Sequence, residues 1–131
     1  MPVFRDEEQM YEVFGGLWRE VLTESKLSEK LRKTKLTLKV VTKEPQGCMW
    51  IAHDRVLSGS EADLDAVITM ELPCDLAHQF WLDKLNLGTA LSSNEVKVRG
   101  PLPKLMGLLP MLKFVYKKYP AHCEKHGLPT E

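Results

Sequence analysis

The chain has 131 residues, with 18 basic and 18 acidic side chains, a formal net charge of zero and 44% hydrophobic residues. That length suits one domain (1–131) with a substantial core, and no linker, repeat or low-complexity stretch divides it. A nucleic-acid binder would show a basic excess, and no apolar run approaches the ~18 residues of a membrane span, so both classes are set aside.

In chain order, Met10, Val13, Phe14, Leu17, Trp18, Val21 and Leu22 recur three and four residues apart. They predict an amphipathic helix over about 6–23, with Asp6, Glu7 and Glu8 in its positive first turn. Gly15 and Gly16 lie inside it, at ~1 kcal/mol each relative to alanine, and mark a close approach by another element or a bend. A short helical turn, 28–31, follows. Residues 35–43 alternate, with Leu36, Leu38 and Val40 on one face, and read as a half-buried strand. Glu44-Pro45-Gln46-Gly47 turns that strand into an antiparallel partner over 48–53, and Asp54-Arg55 leads to a third strand, 56–60.

The β-branched run 65–70 reads as a fourth strand, stopped by Pro73. Pro73 and Asp75 suit the first turn of a helix whose apolar face carries Leu76, Ala77, Phe80, Trp81 and Leu85. Lys84-Leu85-Asn86 ends it, and Asn86 starts a second short helix through Leu87, Ala90 and Leu91. Residues 95–99 alternate as a fifth strand closed by Gly100-Pro101. Next come Leu105, Met106, Leu108, Leu109, Leu112, Val115, Tyr116 and Tyr119, on an arc wider than one helix face. Pro110 interrupts them and predicts a kink or two short helices. The tail from Ala121 is expected to be a frayed helical turn ending at Gly127-Leu128-Pro129. The sum is an α+β fold, a five-stranded, mostly antiparallel sheet with helices packed on one face.

Within this order, Asp65, Ile68-Thr69-Met70, a helix, Lys84-Leu85-Asn86, Ala90, a turn, and Val96-Lys97-Val98 before Gly100 together resemble the sterol carrier protein type 2 family of lipid-binding domains. Two positions depart. The family usually has glycine where this chain has Asp83, and again entering the last strand, where Asn94 stands; asparagine tolerates the left-handed backbone a turn there needs. The resemblance implies an apolar tunnel between sheet and helices that holds fatty acyl chains, acyl-CoA thioesters or sterols. It implies no catalysis and no cofactor. The C-terminal segment that helps close the tunnel is here 105–119, with Pro110 as a flexion point for entry. Eukaryotic members often end in a Ser-Lys-Leu type address, and this chain ends Leu128-Pro129-Thr130-Glu131. Its acidic start lacks a signal-peptide stretch, and Cys48, Cys74 and Cys123 form no disulfide framework, so a reduced, cytoplasmic location is expected.

The residues themselves propose little chemistry. There is no G-x-S-x-G, glycine-rich phosphate loop or H-E-x-x-H. His122, Cys123 and His126 have no second ligand pair to complete a metal site. His53 and Asp54 are neighbours at a strand end and point to opposite faces, which suits a turn better than a base with its orienting carboxylate. Cys48 and Cys74 read as small core residues.

The tunnel-lining candidates are Met49 and Met70 from the sheet, with Phe80, Trp81, Leu85, Leu105, Leu108, Leu109, Leu112 and Val115 from the helices. Met106 and Met111 are expected to face the same interior. A filled core would use identical side chains, and only the resemblance favours a cavity. Lys113, Lys117 and Lys118 meet either solvent or an anionic head group or membrane surface. The expected partners are a lipid or fatty acyl ligand and, transiently, a membrane. In the alternative, an accessory or dimerisation module with a filled interior, the partner is a second copy or an enzyme.

Overall fold

The computed structural model of the chain describes residues 3–130. Helix α1 (Glu7–Val21) starts where expected, because the Asp6 carboxylate accepts from the Gln9 N–H at 2.8 Å. Such a cap is worth ~1 kcal/mol. Its buried stripe is Met10, Val13, Phe14, Leu17, Trp18 and Val21. Gly16 is where another element comes close, since a Cβ there would lie 3.6 Å from the His122 imidazole, whereas Gly15 faces its own neighbour Arg19.

Helix α2 (Ser25–Thr34) is longer than the single turn expected over 28–31. Lys35 ends it in the left-handed region (φ 54°), and the Leu36 N–H returns to the Leu31 carbonyl at 3.0 Å. The first strand, expected from 35, therefore begins only at Leu38: β1 (Leu38–Lys43). It forms the expected hairpin with β2 (Gly47–Ala52), which is followed by β3 (Arg55–Ser58) and a 3-10 turn, Gly59–Ala62. The third strand stops short of 60 because Gly59 turns the chain (φ 71°).

Strand β4 (Ile68–Pro73) lies three residues later than the expected 65–70. Its ladder can begin only opposite Leu38, and before that point the Val67 N–H is taken by the Thr37 hydroxyl at 2.8 Å. Helix α3 (Cys74–Trp81) ends earlier than Lys84, because Asp83 adopts φ 61° and the Lys84 N–H closes on the Gln79 carbonyl. Asp83 thus supplies in aspartate the left-handed residue for which the resembled family uses glycine. Asn94 does the same at φ 62°. Asn86 caps α4 (Leu87–Ser92) through the Thr89 N–H, and β5 (Lys97–Arg99) completes the sheet.

The strand order is β3-β2-β1-β4-β5, antiparallel throughout except for the parallel pair β1–β4. The register places Met49, Val40, Met70 and Val98 in one row across β2, β1, β4 and β5. Leu38, Val40, Met49, Ile51, Ile68, Met70 and Leu72 form the buried face. On it α1 packs against β2 and β3, and α3 against β1 and β4. The opposite face carries Lys39, Cys48 and Trp50 and is crossed by the segment 59–65. There Lys39 pairs with Asp63 at 3.0 Å and the Trp50 indole donates to the Asp65 carbonyl at 3.2 Å. Cys48 is accordingly half-buried on this outer face, whereas Cys74 is a core residue as expected.

After Gly100 come α5 (Leu102–Leu108), a 3-10 turn at Leu109–Leu112 containing Pro110, and α6 (Lys113–Lys125). The expected break at Pro110 is present. The frayed tail is not: α6 continues through Pro120, which costs one helical hydrogen bond, because Val115, Tyr119 and Cys123 are fully buried on α1 and α3.

Candidate ligand-binding site

The layer between sheet and helices gathers eight of the ten lining candidates. Met49, Met70, Phe80, Trp81, Leu105, Leu108, Leu112 and Val115 are all buried in one apolar cluster. Leu85 and Leu109 are half-buried at its margin, as is Met111. Met106 is placed differently from the expectation: it is 55% exposed. Leu105 and Leu108 take the inward side of α5, which turns Leu102 and Met106, one helical turn apart, to solvent.

Phe80 and Trp81 are successive residues whose rings lie 4.9 Å apart at 29°. Trp81 also meets Phe14 edge-on at 6.2 Å and Trp18 at 5.5 Å, so α1 contributes as much aromatic wall as α3. The apolar period of α1 marked Trp18 as buried, but nothing in the sequence placed it against Trp81. Both indole N–H groups are buried without a hydrogen-bond partner among the described residues. An unmet buried donor costs ~1–3 kcal/mol.

Two further polar side chains are buried among the described residues, Thr42 on β1 and His78, fully buried on α3. The histidine joins two helices. Its Nδ1 lies 2.6 Å from the Tyr119 hydroxyl on α6, and its Nε2 lies 2.8 Å from the Pro129 carbonyl in the tail. A carbonyl can only accept, so Nε2 carries the proton and Nδ1 accepts from the Tyr119 O–H. Burial lowers the His78 pKa below its ordinary value and raises that of Tyr119, which keeps both neutral. Residues 41 apart carry no local sequence signal for such a pair.

The polar groups weighed for chemistry are dispersed. Asp54 is held below the usual carboxylate range chiefly by its hydrogen bond to Arg55, at 3.1 Å, so its carboxylate is committed to that guanidinium. Burial pushes the Cys74 thiol up to about 12 and raises Cys48 and Cys123 as well, which leaves all three as protonated, weakly nucleophilic thiols. His122 is bound to Glu20 at 2.8 Å, and no group of three His, Cys, Asp or Glu side chains that could hold a metal occurs among the described residues. An outer groove of about 450 Å³ is lined by Glu7, Tyr11, Lys39, Cys48 and Asp63. It runs from the N-terminal turns of α1 to the outer face of the sheet. A second groove, of about 400 Å³, is formed by Lys113, Phe114, Lys117, Lys118 and Glu24.

This architecture is the sterol carrier protein 2 fold. Sterol carrier protein 2 from Yarrowia lipolytica superposes with a TM-score of 0.67 at 17% identity, over 90% of this chain and 100% of that one. The sterol carrier protein domain of Helicoverpa armigera gives 0.66 at 15% identity, over 84% and 90%. A UbiJ-SCP2 ubiquinone synthesis protein gives 0.57 at 17% identity, over 80% and 89%. Neither family models nor curated proteins match the sequence. The resemblance read from residues 65–100 therefore holds at the level of the fold.

Proposed function

We propose that this chain is a non-catalytic, cytoplasmic lipid carrier. It takes a fatty acid, fatty acyl-CoA or sterol-like molecule into the layer between sheet and helices, and releases it to a membrane or an enzyme. The observation that carries this reading is the collection of adaptable and aromatic side chains, Met49, Met70, Phe80 and Trp81, on one apolar layer of this fold. Each buried methylene is worth ~0.8 kcal/mol, so a tail of about a dozen carbons binds without any reaction. Entry runs through the C-terminal segment, where the 3-10 turn at Leu109–Leu112 separates α5 from α6. Native mass spectrometry of freshly purified protein, beside an organic extract of the same sample, tests the reading. A bound species of lipid mass that disappears on denaturation is expected. Absence of such a species, together with failure of an added fluorescent fatty acid and of its methyl ester to bind, would end the carrier reading.

Charge supports release at an anionic bilayer. Residues 96–123 contain six basic side chains and no acidic one, in a chain whose total is balanced. Leu102 and Met106, at 50% and 55% exposure, protrude from this stretch. Replacing both by glutamate is expected to weaken binding to phosphatidylglycerol vesicles about tenfold or more, with no loss of folding. Leu64→Glu, at the third exposed apolar residue, is expected to leave vesicle binding unchanged.

The likeness to a ubiquinone synthesis protein favours one further reading, an accessory module that docks on an enzyme through the same Leu102–Met106 surface. Light scattering separates the two: a stable ligand-free oligomer supports the module, and a lipid-loaded monomer supports the carrier.

A further inference from the structure

The indole N–H groups of Trp18 and Trp81 are the buried side-chain polar atoms without a partner among the described residues. Their rings are 1% and 2% exposed and sit edge to face, 5.5 Å apart at 80°. The third tryptophan is treated differently by the fold. Trp50, half-buried on the outer face, has the Asp65 carbonyl as its acceptor at 3.2 Å. The chain thus satisfies an indole that water could reach and leaves unsatisfied the two that water cannot. Buried donors are nearly always paired, and phenylalanine at either position would keep an aromatic ring without the unmet group. Two adjacent exceptions point to an acceptor supplied from outside the chain.

The surroundings specify that acceptor. Phe14 and Phe80 flank Trp81 at 6.2 and 4.9 Å. The buried polar side chains of the core, Thr42 and His78, are already committed, Thr42 to the Pro45 carbonyl and His78 to Tyr119 and Pro129. No charged side chain is buried among the described residues. A carboxylate would enter this site with no counter-charge, at a desolvation cost that two indole donors do not offset. A neutral carbonyl oxygen has two lone pairs to offer and tolerates an apolar setting.

We propose that the interior site selects a neutral lipid bearing a carbonyl oxygen, such as a fatty ester or a prenylated quinone, and that Trp18 and Trp81 donate to that oxygen. This rests on the carrier reading and narrows it: head-group recognition is by hydrogen bonding inside the core, and the free carboxylate of a fatty acid is disfavoured.

The test uses the intact, nitrogen-15-labelled protein, whose indole resonances are assigned with the Trp18→Phe, Trp50→Phe and Trp81→Phe variants. Methyl palmitate, palmitate and hexadecane are added separately. Methyl palmitate is expected to move the Trp18 and Trp81 N–H signals downfield and to leave Trp50 in place, whereas hexadecane moves none of them downfield. Trp18→Phe and Trp81→Phe are each expected to weaken methyl palmitate binding about fivefold relative to hexadecane, a ratio that cancels any packing change common to both. Equal binding of ester and alkane with unmoved indole signals would overturn the proposal while leaving the carrier intact, and so would tighter binding of palmitate than of the ester. Absence of binding by all three would overturn the carrier reading with it.

Discussion

Acidification from about pH 7.5 to about pH 5 is expected to destabilise the protein by disturbing the contact between α3 and α6, and His78→Gln is expected to flatten that response. Burial is the main reason that the His78 pKa lies below 6.5; the Pro129 carbonyl and Asp75 pull it back up, and Lys84 pushes it further down. The rings of Phe4, at 5.8 Å, and Tyr119, at 5.4 Å, enclose the imidazole on its remaining sides. In the unfolded chain the same imidazole titrates near 6.5. Between that value and the lower folded one, the unfolded state binds a proton that the folded state refuses. Stability is therefore complete above the unfolded pKa, falls as pH drops below it, and levels off below the folded pKa. Protonation also turns Nδ1 into a donor facing the Tyr119 hydroxyl, which must then surrender its own bond. The Pro129 carbonyl and the contact from Lys84 Nζ to the Thr130 carbonyl tie the tail to α3 and the loop after it. The Nε2–H bond to Pro129 survives protonation, so amide exchange in α6 around Tyr119, rather than in the tail, should accelerate before exchange in β1 or β4. Glutamine can bridge the same two partners without titrating. His78→Ala removes both bonds and is expected to cost about 2–4 kcal/mol at neutral pH, from an orphaned Tyr119 O–H together with the void left behind. Urea midpoints measured across the pH range check each of these. A wild-type pH slope in His78→Gln would assign the acid response to other groups.

What the sequence made legible, and what it did not, divides along a physical line. Periodicity reports which residues face inward, so the stripe of α1, the β1–β2 hairpin and the break at Pro110 were all readable. It says nothing of partners distant in sequence. The parallel pairing of β1 with β4 sets where β4 begins, and the 65–67 stretch, although β-prone, has no strand opposite it. The early end of α3 depends on Asp83 accepting a left-handed conformation that residue identity only weakly favours. Met106 faces solvent because its segment carries more apolar residues than one helix face can bury, and residue type does not say which is left out. The Trp18–Trp81 contact and the His78–Tyr119 bond join helices that adjoin only in the folded molecule. Residue type anticipates burial at eight of the ten candidate lining positions, whereas the surroundings of the buried polar atoms emerge only from three-dimensional neighbours.

Gly100→Ala is expected to lower stability by about 3 kcal/mol or more, while Gly107→Ala, seven residues on, is expected to raise it by about 0.5–1 kcal/mol. The same methyl group is added in both cases, and the backbone decides the sign. Gly100 sits at φ 115°, a conformation open to glycine and strained for every other residue, between β5 and α5. A Cβ there would collide with the Val67 carbonyl oxygen, lie 3.2 Å from the Val67 carbonyl carbon and 3.1 Å from Ile68 Cδ1. Two of the three obstacles are main chain, immediately before β4, and Ile68 is itself fully buried. Neither can retreat without disturbing the ladder that Ile68 opens opposite Leu38. The relief available is to lift β5 from β4, which gives up the three pairs from Thr69–Arg99 to Glu71–Lys97. It also loosens the corner from which α5 departs. Gly107 lies inside α5 with right-handed backbone, and its Cβ would project into open space. Alanine there only reduces the freedom of the unfolded chain. Urea denaturation of the two variants beside wild type reads both effects at once. If Gly100→Ala retained the wild-type midpoint, the chain reversal at Gly100 would not be the fixed corner from which the C-terminal helices fold back over the apolar layer.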